Sequence, residues 1–346
     1  CGLEHSASVE AKVIGKPQST FFELASKDFK CDPNQIAMVG DDLINDIGGA
    51  KKMGYKSFLV KTGKFREKIY ANSNIKPDYF INFAAQSFVA SSWDYPIQTW
   101  ETDSSAVLHI LEAIRKFNPN CRFYNAGSSE EFGDVISTPQ DESHPLRPQS
   151  PYGAAKCAAR HIVRVYRESY DLYSIQGWLF NHEGTRRGIE FVTRKISNGI
   201  ALIKNAIEKS KPIPVLKLGN LDAKRDWTDA EDLMEGVWKM LNQDEPKNYV
   251  LASGKMFSVR DFVNECLLSA EIDFTKEGEG ENEKYFYKNK LIVAVDPKFY
   301  RPAEVHKLCG DYSLAKRDLD WEPKTKFKDL VRKMYHNDYK LINRAL

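Results

Sequence analysis

Apolar runs of strand length alternate with helical patterns through the first half of this chain, and that alternation limits the fold more than any other feature. Ile36-Ala37-Met38-Val39 reads as a strand that leads into Gly40-Asp41-Asp42, and a helical stretch follows to about Met53. Further strands are predicted at Ser57-Phe58-Leu59-Val60 and at Tyr79-Phe80-Ile81-Asn82-Phe83. Between Ile97 and Phe117 the apolar residues Val107, Leu108, Leu111 and Ile114 recur at helical spacing. Arg122 to Ala126 is the next strand, closed by Gly127. Pro151 suits the first turn of a long helix to about Tyr170, because the N–H it lacks has no intrahelical partner there. Ser174 to Leu179 is a further strand. Strands joined by helices pair in parallel, so the pattern predicts an α/β fold with a doubly wound, mostly parallel sheet.

The second half is more mixed and predicts a smaller α/β region. Helical patterns cover roughly 190–208, 229–242, 258–270 and 326–343, with short strands at 214–218, 248–252 and 291–295. Ser258 with Asp261 three residues later is a capping-box pattern. The charged, Gly-containing stretch Thr275 to Asn289 is expected to be a solvated loop.

Composition removes several functional classes. No apolar run in the 346 residues approaches the roughly 20 that a membrane span needs. With 50 basic and 48 acidic side chains, the net charge of +2 gives no global pull toward nucleic acid. Neither membrane nor nucleic acid is therefore an expected partner. Cys1, Cys31, Cys121, Cys157, Cys266 and Cys309 form no CxxC or Cys/His cluster, which fits reduced thiols in a cytoplasmic protein. The first residue is Cys1 in place of Met, which reads as a truncated start.

The sharpest chemical cluster is Ser128-Ser129-Glu130 followed by Ser150-Pro151-Tyr152-Gly153-Ala154-Ala155-Lys156. Four residues apart on a helix, Tyr152 and Lys156 project from one face. A phenol is a poor base near its reference pKa of about 10, and a neighbouring ammonium favours the phenolate. A strand-end hydroxyl, Ser128, can hold the substrate oxygen while Tyr152 takes its proton. This is the arrangement of an alcohol-oxidising site beside a nicotinamide.

From about Phe83 to the C-terminus the sequence resembles the GDP-mannose 4,6-dehydratases, an extended branch of the short-chain dehydrogenase/reductase superfamily. The resemblance covers about three quarters of the chain. Besides the words above it rests on Ala84-Ala85-Gln86-Ser87, Leu179-Phe180-Asn181-His182-Glu183 and Arg187 through Lys195. Leu218-Gly219-Asn220-Leu221-Asp222-Ala223-Lys224-Arg225-Asp226-Trp227 and Arg301-Pro302-Ala303-Glu304-Val305 complete it. It implies a Rossmann-like fold and conversion of GDP-mannose to GDP-4-keto-6-deoxymannose with NADP as the transient hydride carrier. The catalytic residues it implies are Tyr152 as the base for the 4-hydroxyl, tuned by Lys156, Ser128 where the family usually has Thr, and Glu130 for the C5 proton. Ala84, Ala85, Gln86, Ser87, Tyr152, Lys156, His182 and Arg187 match cofactor positions. Asn181, Lys195, Arg225, Arg301 and Glu304 fall in the words that hold the GDP-sugar. The family's habit also implies a homo-oligomer.

A dinucleotide site of this type opens with a strand, a Gly-rich turn and a helix N-terminus. Neither GxxGxxG nor GxGxxG precedes Ala84. The first strand-turn-helix reads Val39-Gly40-Asp41-Asp42-Leu43-Ile44-Asn45-Asp46, whose carboxylates repel a pyrophosphate. NADP binding is accordingly expected to be weak. Residues from about Ala11 to Phe83 resemble the C-terminal part of haloacid dehalogenase-type phosphatases. The words are Val13-Ile14-Gly15-Lys16-Pro17, Met38 through Ala50, and Val60-Lys61-Thr62-Gly63-Lys64-Phe65-Arg66. That resemblance implies a phosphoryl-steadying Lys16 and Mg²⁺ on Asp41 and Asp46. The superfamily's DxDG nucleophile is absent from this sequence.

The chain thus reads as composite. Residues 1–83 are a phosphatase-like fragment. Residues 84–346 are a dehydratase-like region without its Gly-rich first βαβ unit, nucleotide-binding mainly over 84–180 and substrate-binding over 181–346. The Rossmann-like sheet is expected to be incomplete at its N-terminal part. Two alternatives stand beside the dehydratase: a Mg²⁺-dependent phosphatase remnant, and a non-catalytic composite protein that binds GDP-sugar.

Overall fold

A computed structural model describes residues 14–60, 64, 66–71, 73–299 and 308–344. The chain divides into two compact units. The first comprises Cys1–Ala84, Val107–Asn125 and Val163–Ser174, and the second Ala85–Ala106, Ala126–Ile162 and Ile175–Leu346.

In the first unit, helix α1 (Ser19–Ser26) buries Phe22, whose ring meets Tyr55 edge-on at 6.2 Å. Strands β1 (Ala37–Gly40), β2 (Lys56–Leu59), β3 (Tyr79–Asn82) and β4 (Arg122–Ala126) pair in parallel, each with the next. They are the strands the apolar runs predict. Between β1 and β2 the expected helical stretch is a π-helical turn, Leu43–Gly48, continued by Gly49–Lys52. At the ends of β3 and β4, Asn82 Nδ2 donates to Asn125 Oδ1 at 2.7 Å, which satisfies two buried amides. Helix α2 (Ala106–Phe117) buries Val107, Ile110, Leu111 and Ile114, a stripe of helical period. Leu108, expected in that stripe, is 36% exposed, and Ile110 takes its place. The strands follow chain order across this unit. The reversal of order that makes a dinucleotide crevice in doubly wound sheets therefore does not occur among these four.

Helix α3 (Pro151–Tyr170) starts in the second unit and ends in the first. Strand β5 (Ser174–Leu179) is buried along its whole length and pairs in parallel with β9 (Val250–Leu251). A three-stranded sheet places β8 (Lys224–Asp229) between β6 (Asn181–Glu183) and β10 (Met256–Ser258). A four-stranded sheet runs in the order β11 (Thr275–Glu277), β12 (Lys284–Tyr287), β13 (Lys290–Val295) and β7 (Leu216–Leu218). Helices α4 (Val192–Glu208), α5 (Ala230–Leu241), α6 (Val259–Ser269) and α7 (Phe327–Arg344) match the predicted helices within a few residues. The Ser258/Asp261 capping box forms at the start of α6. Trp227 and Phe262 pack around Phe327, and with Ile200, Val293 and Met334 belong to one apolar core.

The stretch 275–289, expected to be a solvated loop, is exposed over most of its length but forms strands β11 and β12. Lys284-Tyr285-Phe286-Tyr287 puts the Tyr285 ring inward at 0% exposure while Lys284 points out. Arg260 pairs with the buried Glu283, so the charges that suggested a loop are partly an internal ion pair.

Candidate active site

Tyr152 and Lys156 stand on the first turns of α3, 7% and 3% exposed. Lys156 Nζ donates to the Ala126 carbonyl at the end of β4 at 3.0 Å and lies 5.7 Å from the centre of the Tyr152 ring. Ser128 caps the short turn Ser129–Glu131, accepting from Glu130 N at 3.2 Å. Gly153 explains how α3 and this turn approach so closely: a Cβ there would sit 2.7 Å from the Glu130 carbonyl oxygen. The predicted catalytic words therefore fold into one buried site within the second unit.

The electrostatics follow from burial. Desolvation pushes the Tyr152 phenol up from its ordinary value, opposed by the Ser128 hydroxyl. Desolvation likewise holds Lys156 below the usual ammonium range, with Asp103 the largest opposing charge and Glu131 next. Asp103 lies in the π-helical turn Glu101–Ser105 and is 0% exposed. One of its oxygens accepts from Gln86 N at 2.7 Å, while Oδ2 is buried without a hydrogen-bond partner. Burial raises its pKa against the pull of Lys156.

The two adjacent glutamates have different surroundings. Glu131 is 0% exposed, and its carboxylate is occupied by Arg160, Gln176 and the Ser128 N–H. Glu130 is half-buried.

Residues assigned to the cofactor divide by unit. Gln86 Oε1 is buried without a partner, an acceptor that suits a donor from a bound molecule. Ala85 and Ser87 flank it. In the first unit Ala84 N donates to Asn82 Oδ1 at 3.2 Å. His182 turns Nδ1 to the Phe180 carbonyl at 3.0 Å, and burial lowers its pKa, which keeps the ring neutral. Its ladder partner Thr228 has a buried hydroxyl without a partner. Arg187 lies 3.2 Å from Glu183 and covers the Phe191 ring at 3.5 Å.

The pyrophosphate end of a dinucleotide finds no fit at β1. Asp42 caps the following turn with its own carboxylate, accepting from Ile44 N at 3.1 Å and Asn45 N at 2.9 Å. The donors that would meet a phosphate are thus already taken. Above Gly40, a Cβ would meet Asp46 Oδ2 at 2.2 Å, so the Asp46 side chain fills the space a phosphate would need.

The expected Mg²⁺ ligands are also engaged elsewhere. Asp46 pairs with the Lys16 ammonium and accepts from Asp42 N, and Asp41 accepts from Lys64 N at 3.0 Å. Among the described residues no group of three or more His, Cys, Asp or Glu side chains is placed to hold a metal ion. This donor set does not fit Mg²⁺. Lys61, Thr62, Gly63 and Phe65 of the same resemblance lie outside the described residues.

Of the residues assigned to GDP-sugar, Asn181 opens β6 opposite Trp227. Lys195 sits 3.6 Å from the centre of the Phe299 ring, its pKa lowered by burial and then by Lys298. Arg225 is 8% exposed on β8 and donates to the Lys224 carbonyl at 2.8 Å, unlike a surface ion pair. Arg301 and Glu304 lie outside the described residues.

The sequence model of the family described as GDP-mannose 4,6 dehydratase matches residues 67–334. The human GDP-mannose 4,6 dehydratase is 43% identical over 274 residues, spanning 78% of this chain and 72% of that protein. The chain belongs to the GDP-mannose 4,6-dehydratase family. A Vibrio cholerae GDP-mannose 4,6-dehydratase is 42% identical, over 77% of this chain and 74% of its own length. Among solved structures, RMD from Pseudomonas aeruginosa complexed with NADPH superposes with a TM-score of 0.68 at 19% identity, covering 83% of this chain and 90% of its own. UDP-glucose 4-epimerase from Thermotoga maritima with UDP-glucose gives 0.67 at 19% identity, over 89% and 99%. At such identities these two establish the parallel Rossmann-like fold. Residues 13–86 match a HAD-hydrolase-like sequence model, so the N-terminal segment is similar to a second family and overlaps the dehydratase match.

For this dehydratase family member, sequence reasoning missed three residues at the site: Asp103, Glu131 and Arg160. Arg160 carried one usable signal. Arg160 follows Tyr152 and Lys156 at a further four-residue step, and so lies on the same face of α3.

Proposed function

We propose that this chain binds GDP-mannose in its second unit and carries the reacting groups of a 4,6-dehydratase. The observation that supports this best is the cluster in which buried Tyr152 and Lys156 share one face of α3 while the turn bearing Ser128 and half-buried Glu130 packs against Gly153 of the same helix. Tyr152 takes the proton of the sugar 4-hydroxyl, and Ser128 holds that oxygen. In this reading the Lys156 ammonium favours the phenolate by its charge, while burial of the phenol opposes ionisation. A nicotinamide dinucleotide, NADP in this reading, supplies when bound a reversible hydride acceptor for the sugar. Once C4 is a ketone the C5 proton is acidic, and Glu130 removes it as water leaves from C6. Asn181, Lys195 and Arg225, with Arg301 and Glu304, hold the nucleotide-sugar; guanidinium forks suit its pyrophosphate.

The cofactor is bound weakly in this reading. Gln86, His182 and Arg187 serve its nicotinamide end, while the first turn after β1 offers carboxylates and satisfied donors. The test is product formation from GDP-mannose in the presence of NADP, with Tyr152→Phe as the control. Turnover that survives Tyr152→Phe would remove these residues from the chemistry.

A further inference from the structure

The helix that carries Tyr152 and Lys156 also carries Arg160, and Arg160 reaches the turn that carries Ser128. Glu131 closes that turn as a capping box. Its Oε1 accepts from Ser128 N at 2.8 Å, while Ser128 Oγ accepts from the turn in return. The other oxygen of Glu131 pairs with Arg160 Nε, and Arg160 Nη2 reaches Oε1 at 3.2 Å, a two-point fork. The guanidinium is held in turn by the Gln176 carbonyl at 2.6 Å and the face of Trp178 at 3.5 Å. Gln176 completes the circuit, its Nε2 donating to Glu131 Oε1 at 3.2 Å and to the Lys156 carbonyl at 3.0 Å. Glu131 and Gln176 are 0% exposed and Arg160 4%.

We infer that Glu131, Arg160 and Gln176 are positioning residues that lock the Ser128 backbone to the helix bearing Tyr152 and Lys156. The reacting groups come from two chain segments more than twenty residues apart, and a hydroxyl must stay within hydrogen-bond reach of a phenol for proton transfer. An apolar pair in place of Glu131 and Arg160 could fill the same volume. It could not accept the Ser128 N–H, so the turn would lose its tie to α3. The inference about catalysis rests on the dehydratase reading above; the tie itself does not.

The test uses the full chain and the double variant Glu131→Leu/Arg160→Met, since replacing a buried pair by apolar residues is commonly tolerated where breaking it is not. Two readouts are taken on folded protein of unchanged secondary structure. Amide-resolved hydrogen exchange is expected to show the Ser128 amide losing its protection in the double variant and keeping it in Glu131→Gln, which retains an acceptor. With GDP-mannose and NADP, kcat is expected to fall by about 10²-fold with KM little changed, as a misplaced reacting group predicts. Glu131→Gln should recover most of that loss. A double variant that keeps Ser128 protected, or that turns over like wild type, overturns the inference. Wild-type protein without turnover counts against the dehydratase reading instead, and the exchange result then decides the positioning claim alone.

Discussion

Gly127 joins the end of β4 to the Ser128 turn, and Gly127→Ala is a sharp test of how tightly the site is packed. A Cβ at this position would lie 2.2 Å from the Gly177 carbonyl oxygen, 2.7 Å from Arg160 Nη2 and 2.8 Å from Glu131 Oε1. The first contact is about 1 Å short of ordinary van der Waals separation in an interior packed like a crystal. Neither side can yield easily. Gly177 lies in β5, which is buried throughout, and Arg160 is fixed by four acceptors and a ring face. Overpacking of this kind costs about 1–3 kcal/mol. At about 2–4 °C per kcal/mol for a domain of about 150–250 residues, the melting temperature should drop by about 2–12 °C. Calorimetry measures this directly, and Gly127→Ser should behave alike because it adds the same Cβ. A Gly127→Ala protein melting within about 1 °C of wild type would mean that the turn and β5 do not pack as described.

Three further outcomes follow from the same geometry. Glu130→Gln should lower turnover by about 10²–10⁴-fold, the range for loss of a general base, with the fold intact by circular dichroism; retained turnover would transfer the C5 step to another group. Asp103→Asn keeps an acceptor for Gln86 N but removes a buried charge. The folded Asp103 pKa is raised by burial, so wild type loses stability as pH rises from the usual carboxylate range through that raised value. The variant should therefore gain stability relative to wild type at neutral pH and show no gain in acid, which melts at two pH values would check. Asp42→Ala removes the cap of the turn after β1 and should cost about 1 kcal/mol at neutral pH. Asp42 is held below the usual carboxylate range by its bonds from Asn45, so this contribution is present above the unfolded pKa and is lost as pH falls; an equal loss at low pH would refute the cap.

The strands and long helices were legible because their signals are local. Strand β3 carries the uninterrupted apolar run Tyr79-Phe80-Ile81, and Pro151 marks the start of α3. The hairpin over 275–289 was not legible, since charge suggested solvent. The tight turn at Lys288-Asn289 that pairs β12 with β13, and the Arg260–Glu283 contact across 23 positions, decide that segment. The site divides in the same way. Tyr152, Lys156 and Ser128 could be read from helical spacing and a strand end. Asp103 could not be, because a carboxylate 53 positions before Lys156 gains meaning only once both are buried in one unit. The carboxylates after β1 were legible as charges in the sequence. Their actual partners, Lys16 for Asp46 and the turn amides for Asp42, needed the fold.

The central claim is that the second unit keeps the reacting groups of a GDP-mannose 4,6-dehydratase while the first offers little grip on the cofactor's pyrophosphate. One measurement addresses both halves: the rate of GDP-4-keto-6-deoxymannose formation by the full chain as NADP is raised from micromolar to millimolar. Product is predicted to form and to be abolished by Tyr152→Phe, with the rate still rising near about 1 mM NADP, an affinity of only about 4 kcal/mol. Saturation at about 1 μM, or no product at any NADP concentration, would contradict the account.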